Sequence, residues 1–561
     1  MADATVRRFA LGAVPETSSP ASFALVSGPA DSQRLDLPPQ MTNPDPQATG
    51  GTEPPAPAPA AWSLLLSIAA LKLVVLALVG NGYGFHQDEF YYLACGRRPA
   101  WGYVDQPPFV PMLGRLAESL FGVASLRPVE LRCFSALAGA GVIVLAGLMA
   151  RELGGRRYAQ GLSALAVLVM PLFLATGNLF QTVVFDQLFW ALAFWLVLRT
   201  LRAGEGHGWL LVGLAAGTGL ETKHTMGLFG AGLAVALFAT KTGRDHLRTP
   251  WPWLGGGVAL ALLLPNLLWQ QAHGWPTAEF IHNSNVGNRA DWTLAKFLVL
   301  QVIFNNPIVT ILIMLGVWWA FSPVGQPAAR VVVCVCGVVF AALLALRGKP
   351  YYVGPIYPAL AALGSVALES LTARRRTAGA ANARHWLRPV AAVGVVIGGV
   401  GFVPAVLPII PPGQLAGSWE LRLNDDFGRH VGWPELVAQV EAIVRSLPAS
   451  EQAQTTILSV YYEAAAAIEH FDPALATRIP VISPHNSYWF WGPGSRDPQI
   501  VLVIGARHRE WLDQLFRHVE RVGTIDNPSS VPNEWRGSGI WLCRDPKQTL
   551  RSAWPDLKNF D

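Results

Sequence analysis

Eleven apolar runs, most of them about 16 to 22 residues long, decide what this 561-residue chain can fold into. A helix of that length crosses the hydrocarbon core of a bilayer, which is about 30 Å thick. The runs fall near 61–79, 131–150, 158–176, 183–198, 209–220, 225–239, 253–271, 297–321, 331–346, 353–371 and 389–410. The pair flanking Glu221–His224 is short and reads equally as a re-entrant or broken segment lining a cavity. Apolar residues make up 52% of the chain and charged residues 14%, against roughly 25% charged in soluble domains. The net charge of +5 is spread over short loops, which argues against a nucleic-acid partner. Cys95, Cys133, Cys334, Cys336 and Cys543 show no metal or redox spacing, and Cys334 and Cys336 read as buried thiols.

Residues 1–60 are rich in Pro, Ala, Ser and Gly, lack apolar periodicity and read as a disordered tail. No cleavable signal peptide precedes the first run, and Met41 is an alternative start. With the tail in the cytoplasm, the inner loops carry Arg151, Arg156, Arg157, Arg199, Arg202, Lys241, Arg244, Arg248, Arg330 and the cluster from Arg374 to Arg388. The longer outer loops carry fewer cations, as the positive-inside bias demands. Residues 61–410 then form a transmembrane domain. Within it, 81–130 is an outer loop with amphipathic stretches such as Val110–Phe121. From about Pro411 the pattern turns soluble. Helical stretches at Pro434–Leu447, Glu463–His470 and Arg507–Val519 alternate with β-like runs at Thr455–Val460, Ile500–Ile504 and Ile540–Cys543. That is the pattern of a small α/β domain over 411–561, outside the membrane.

Charged residues at the outer boundary carry the chemistry. His86, Asp88 and Glu89 sit just past the first run and are followed by the apolar Tyr91 and Tyr92. Ionisable groups held against a membrane surface read as functional, although a solvated loop end would also tolerate them. Asp105 precedes Pro107-Pro108 in a stiff turn, where a rigid loop and a substrate contact are equally good readings. Asp186, one turn inside the fourth run, needs a polar cavity or a cationic partner. Lys223, Arg289, Arg347 and Lys349 lie on a face that should be poor in cations, the last two beside Pro350, Tyr351 and Tyr352. Each could be an interfacial anchor, but together they suit a phosphate. A transfer from a lipid phosphate needs this combination: positive charge for the leaving group and a base for the acceptor.

The segment HQDEFYYLACGRRPAWGYVDQPPFVPMLGRL (86–116) resembles the first outer loop of the protein mannosyltransferase-like family 39 membrane glycosyltransferases. These have the GT-C fold, and that superfamily includes the bacterial aminoarabinose transferases acting on lipid A. The segments around Asp186 and Lys223, HGWPTAEF (273–280), GKPYYVGPIYPAL (348–360) and PVISPHNSYWFWGP (480–493) extend the resemblance to a bacterial branch. It implies a mainly α membrane protein with a C-terminal α/β domain and a polyprenyl-phosphate sugar as donor. It also implies inversion at the anomeric carbon and an acceptor glycan, lipid or protein outside the bacterial inner membrane. Asp88 would be the general base, Glu89 would hold the acceptor or orient Asp88, and Asp186 would be a second catalytic carboxylate. Lys223, Lys349, Arg347 and Arg289 would bind the donor phosphate. His86, Tyr91, Tyr92, Asp105, Tyr351 and Tyr352 would line the substrate site.

No nucleotide-sugar DxD signature is apparent, which suits a lipid donor. No obligatory metal is expected, although paired carboxylates leave a divalent ion open. A transporter or lipid flippase would share the many spans and intramembrane charges, but no inverted repeat is evident. His485-Asn486-Ser487-Tyr488-Trp489 reads either as a sugar-stacking platform or as an aromatic core turn.

Overall fold

Each apolar run carries helix. The computed structural model describes residues 57–123, 125–288, 292–374, 386–495 and 497–561. The expected tail up to residue 56, Arg289 and residues 375–385 lie outside these. The helices are α1 (Trp62–Val79), α2 (Gln87–Arg97), α3 (Phe109–Phe121), α4 (Pro128–Glu152), α5 (Arg157–Val169), α6 (Pro171–Gly177), α7 (Thr182–Ala203), α8 (Gly208–Leu220) and α9 (Met226–Ala239). They continue with α10 (Lys241–Leu247), α11 (Trp251–Ala272), α12 (Pro276–Asn288), α13 (Leu294–Asn305), α14 (Pro307–Phe321), α15 (Pro327–Ala345), α16 (Tyr357–Arg374) and α17 (Leu387–Val400). Among the described residues, six helices are long and apolar enough to cross a membrane, or nine if each of three bent pairs counts as one span. The shorter α8 and α17 complete the eleven apolar segments. The chain is a multi-pass membrane protein.

The breaks have local causes. The run 158–176 bends by 65° between α5 and α6, and 297–321 bends by 99° between α13 and α14. Pro171 and Pro307 each remove a backbone donor and clash with the preceding turn. At the second break Asn306 takes φ 62°. Its side-chain oxygen accepts from the Val309 amide (3.0 Å) and its side-chain nitrogen donates to the Val395 carbonyl (3.3 Å). Backbone groups freed inside an apolar layer are satisfied in this way. Close helix packing rests on small residues. A Cβ at Gly213 of α8 would lie 2.0 Å from the Gly255 carbonyl oxygen of α11, and one at Gly316 of α14 would lie 2.4 Å from the Gly364 amide of α16.

After α17 a five-stranded sheet forms from β1 (Thr455–Ser459), β2 (Val481–Ile482), β3 (Ile500–Ala506), β4 (Phe516–Thr524) and β5 (Gly539–Pro546), in the order β2-β1-β3-β5-β4. β1 runs parallel to β2 and β3, and β5 is antiparallel to β3 and β4. The helix expected over Arg507–Val519 is short: it covers Glu510–Leu515, and pairing with β5 makes Phe516 the start of a strand. The outer-loop helices α2 and α3 share one core with the helices Trp433–Ser446 and Tyr462–Phe471. Phe90 of α2 lies 5.6 Å from Trp433 and 5.5 Å from Phe471, ring centre to ring centre. Arg98 and Glu469 tie the same elements at 2.7 Å.

Candidate functional site

Helix α2 starts with a reciprocal cap. His86 Nδ1 accepts from the Asp88 amide (3.2 Å), and the His86 amide donates to Glu89 Oε2 (2.7 Å). The cap sends the two adjacent acids in opposite directions. Glu89 points inward and is 1% exposed. Its carboxylate accepts from Arg132 Nε and Nη2 (both 2.8 Å), from the Phe180 amide (2.9 Å) and from His86. Every lone-pair direction is used, so Glu89 anchors the loop and is not free to hold an acceptor. Asp88 points outward, with 29% of its side chain exposed. Its Oδ1 accepts from the Tyr462 hydroxyl at 2.9 Å.

His86, Tyr91 and Tyr92 are buried. His86 Nε2 lies 3.3 Å from Asp426 Oδ1. Burial opposes charge on this ring, and Asp426 and Asp88 favour it. The Tyr91 hydroxyl donates to Asp105 Oδ1 (2.8 Å) and accepts from the Ser487 amide (3.2 Å). Burial raises the Asp105 carboxyl to about 6 in spite of that hydrogen bond. Tyr92 packs edge-on against Phe180.

Asp186 of α7 lies within electrostatic reach of Lys223, in the short link between α8 and α9. Asp186 accepts from Trp190 Nε1 and from Thr225 Oγ1, both at 3.0 Å, and its charge interacts with Lys223. The Lys223 ammonium sits over the rings of Tyr352 (4.3 Å) and Tyr351 (5.5 Å). These two tyrosines connect the charged groups. Asp88 and Tyr92 act electrostatically on Tyr351, while Lys223, Lys349 and Asp186 act on Tyr352. Tyr352 also lines a cavity of about 280 Å³ with Lys296, Arg347 and Lys349, walled by Phe280, Trp292 and Phe297. Among the described residues, no acid lines it and no carboxylate pairs with its three cations. Arg347 takes φ 52° and lies over the Trp292 ring at 5.9 Å.

One group of side chains among the described residues could hold a metal: His86, Asp426 and His430, whose ligand atoms lie within 4.8 Å of one another. Burial, with His86 and Arg132 alongside, pushes His430 well below the usual imidazole range. The Asp88 amide occupies His86 Nδ1, so the Nε2 proton faces Asp426. The set closes through a hydrogen bond from His86 Nε2 to Asp426 and would take a divalent ion only by giving up that proton.

Lys296, Tyr462 and Asp426 escaped sequence reasoning. Lys296 follows an ordinary N-cap threonine, and Tyr462 and Asp426 lie far along the chain from Asp88 and His86, which they contact. His485 stacks on Tyr462 (4.8 Å, 8°), so its aromatic segment is a packed turn. Phe490 of that segment reaches His273 of the HGWPTAEF stretch at 5.2 Å.

Residues 105–269 match a family model described as dolichyl-phosphate-mannose-protein mannosyltransferase. The fold is that of ArnT from Cupriavidus metallidurans. The undecaprenyl-phosphate-bound form aligns with a TM-score of 0.53 and 18% identity over 86% of this chain and 98% of that one. The apo form aligns with a TM-score of 0.52 and 16% identity over the same shares. No curated protein matches the sequence significantly. A GT-C-type helical bundle with a C-terminal sheet is the architecture of this chain.

Proposed function

We propose that this protein transfers a sugar from a polyprenyl-phosphate donor to an acceptor hydroxyl at the outer face of the bacterial inner membrane, with inversion at the anomeric carbon. The observation that carries the reading is the Tyr351–Tyr352 pair: Asp88 lies within electrostatic reach of Tyr351, and Tyr352 lines a cationic cavity with no acid among the described residues. The mannosyltransferase family match and the lipid phosphate held by the C. metallidurans protein support it.

Asp88 takes the proton of the acceptor hydroxyl as that oxygen attacks the anomeric carbon. The bond from that carbon to the phosphate oxygen breaks, and the polyprenyl phosphate leaves carrying its negative charge. Lys349, Arg347 and Lys296 receive that charge, with Lys223 beside them. Asp186 holds Thr225, and so the Lys223 link, in place. Glu89 and His86 fix the start of α2. Charge on the leaving group is met by side chains, so transfer needs no obligatory metal. If a divalent ion is used, His86, Asp426 and His430 would hold it. The N-terminus is cytoplasmic and the sheet-containing region extracytoplasmic, as the loop cations favour.

The test uses membranes of a strain lacking the protein, in which unused donor accumulates. Purified protein added with the polyprenyl-phosphate-sugar fraction extracted from them should release polyprenyl phosphate in detergent, and Asp88→Asn should abolish the release. Movement of intact lipid-linked sugar between compartments without release would favour a flippase and overturn the reading.

A further inference from the structure

The extramembrane region contributes a side chain directly to the reacting carboxylate. Tyr462 opens the helix Tyr462–Phe471, and its hydroxyl donates to Asp88 Oδ1 at 2.9 Å across 374 residues of sequence. Its ring is held on both faces: Tyr91 stacks at 4.2 Å and 24°, and His485 at 4.8 Å and 8°. Two rings at those spacings cannot share one face. His485 is itself locked. Its Nδ1 accepts from the Tyr462 amide (3.3 Å), which leaves Nε2 to donate to Asp561 Oδ1 (2.8 Å). Asp561 is placed by backbone hydrogen bonds that lay its segment along Pro484–Asn486: the Asn486 amide to the Asn559 carbonyl (2.8 Å) and the Asn559 amide to the Pro484 carbonyl (3.0 Å). The helix under Tyr462 is tied to α2 by Arg98–Glu469.

We infer that Tyr462 is a positioning residue for sugar transfer, held by His485 and Asp561 so that its hydroxyl fixes one oxygen of Asp88 and leaves the other to take the acceptor's proton. The inference rests on Asp88 being the base. A carboxylate on a short side chain can turn about its last bond, and a turned carboxylate offers its lone pair in the wrong direction. A misplacement of 1 Å costs about 100-fold in rate. A phenol clamped between two rings is a stiff donor against that rotation. The C-terminal region is therefore part of the transfer site and not only a cover over it.

The test compares full-length Tyr462→Phe with Asp88→Asn and with the unsubstituted protein. The donor is the polyprenyl-phosphate-sugar fraction extracted from membranes of the strain lacking the protein. Tyr462→Phe keeps both stacks, so its melting temperature should match that of the unsubstituted protein. Its kcat should fall about 10- to 100-fold with KM for the donor unchanged. His485→Ala and Asp561→Asn should move kcat in the same direction by less. A Tyr462→Phe rate within about twofold of the unsubstituted protein, beside an inactive Asp88→Asn, would overturn the inference and leave the base assignment standing. A raised KM with unchanged kcat would also overturn it, because it would place Tyr462 in donor binding. An active Asp88→Asn would overturn the base assignment itself.

Discussion

Glu89 and Arg132 form a two-pronged ion pair in which both side chains are almost fully buried, at 1% and 3% side-chain exposure, with Nε and Nη2 each 2.8 Å from a carboxylate oxygen. Arg132 also donates to the Gly80 and Gly84 carbonyls at 2.7 Å. One pair thus joins α4, the end of α1 and the cap of α2. Removing one partner strands a buried charge, which costs about 3–5 kcal/mol. Glu89→Ala should therefore lower the melting temperature in detergent sharply. Asp88→Asn, one residue away and outward-facing, should leave it nearly unchanged. Equal melting temperatures for the two variants would refute the division of labour between the adjacent acids.

Asp88 should carry the rate. A general base contributes about 10²–10⁴-fold, so Asp88→Asn should lower kcat by that much while its binding of undecaprenyl phosphate, read by native mass spectrometry, stays at the unsubstituted level. Loss of lipid binding in this variant would move Asp88 from the acceptor side to the donor side.

The helical architecture is legible in the sequence because a bilayer permits few alternatives: a long apolar run must satisfy its own backbone. The break within 297–321 is legible too, in the Asn306-Pro307 dipeptide, although hydropathy alone reads the run as continuous. The site is less legible. Asp88 and Glu89 are neighbours of the same chemistry, and nothing local says which one turns inward; Arg132, 43 positions away, decides it. Lys72 lies inside an apolar run, and only the fold shows its ammonium donating to the Phe173 carbonyl at 2.7 Å, just past the Pro171 break. Tyr462 reaches Asp88 through tertiary structure alone, so no spacing or periodicity announces it.

The cationic cavity predicts how the donor phosphate is held. Lys296 and Lys349 line it without carboxylate partners among the described residues. A charge-assisted hydrogen bond is worth about 1.5–3 kcal/mol. Lys296→Ala and Lys349→Ala should each weaken undecaprenyl phosphate binding by roughly 10- to 100-fold. Lys349→Arg should recover part of the loss. Binding of an uncharged polyprenol should be the same in all these variants; if it falls as well, the cavity recognises the chain and not the phosphate.

Glu463 gives the pH dependence its sign. The side chain is buried beside Tyr462, and Oε2 has no hydrogen-bond partner among the described residues. Burial raises its carboxyl to about 7 from 4.5, with His485 pulling the other way. The folded protein therefore keeps a proton that the unfolded chain releases. The stabilisation is complete below pH 4.5 and is lost as pH climbs through about 7. The full span is worth about 3 kcal/mol. Asp105, raised to about 6 from 3.8, adds a second decline over an overlapping window. Glu463→Gln removes only the first. Its melting temperature should fall less steeply than the unsubstituted protein's between pH 4.5 and 7, and the two should run in parallel above pH 7. Parallel curves over the whole range would show that Glu463 is ionised in the folded protein.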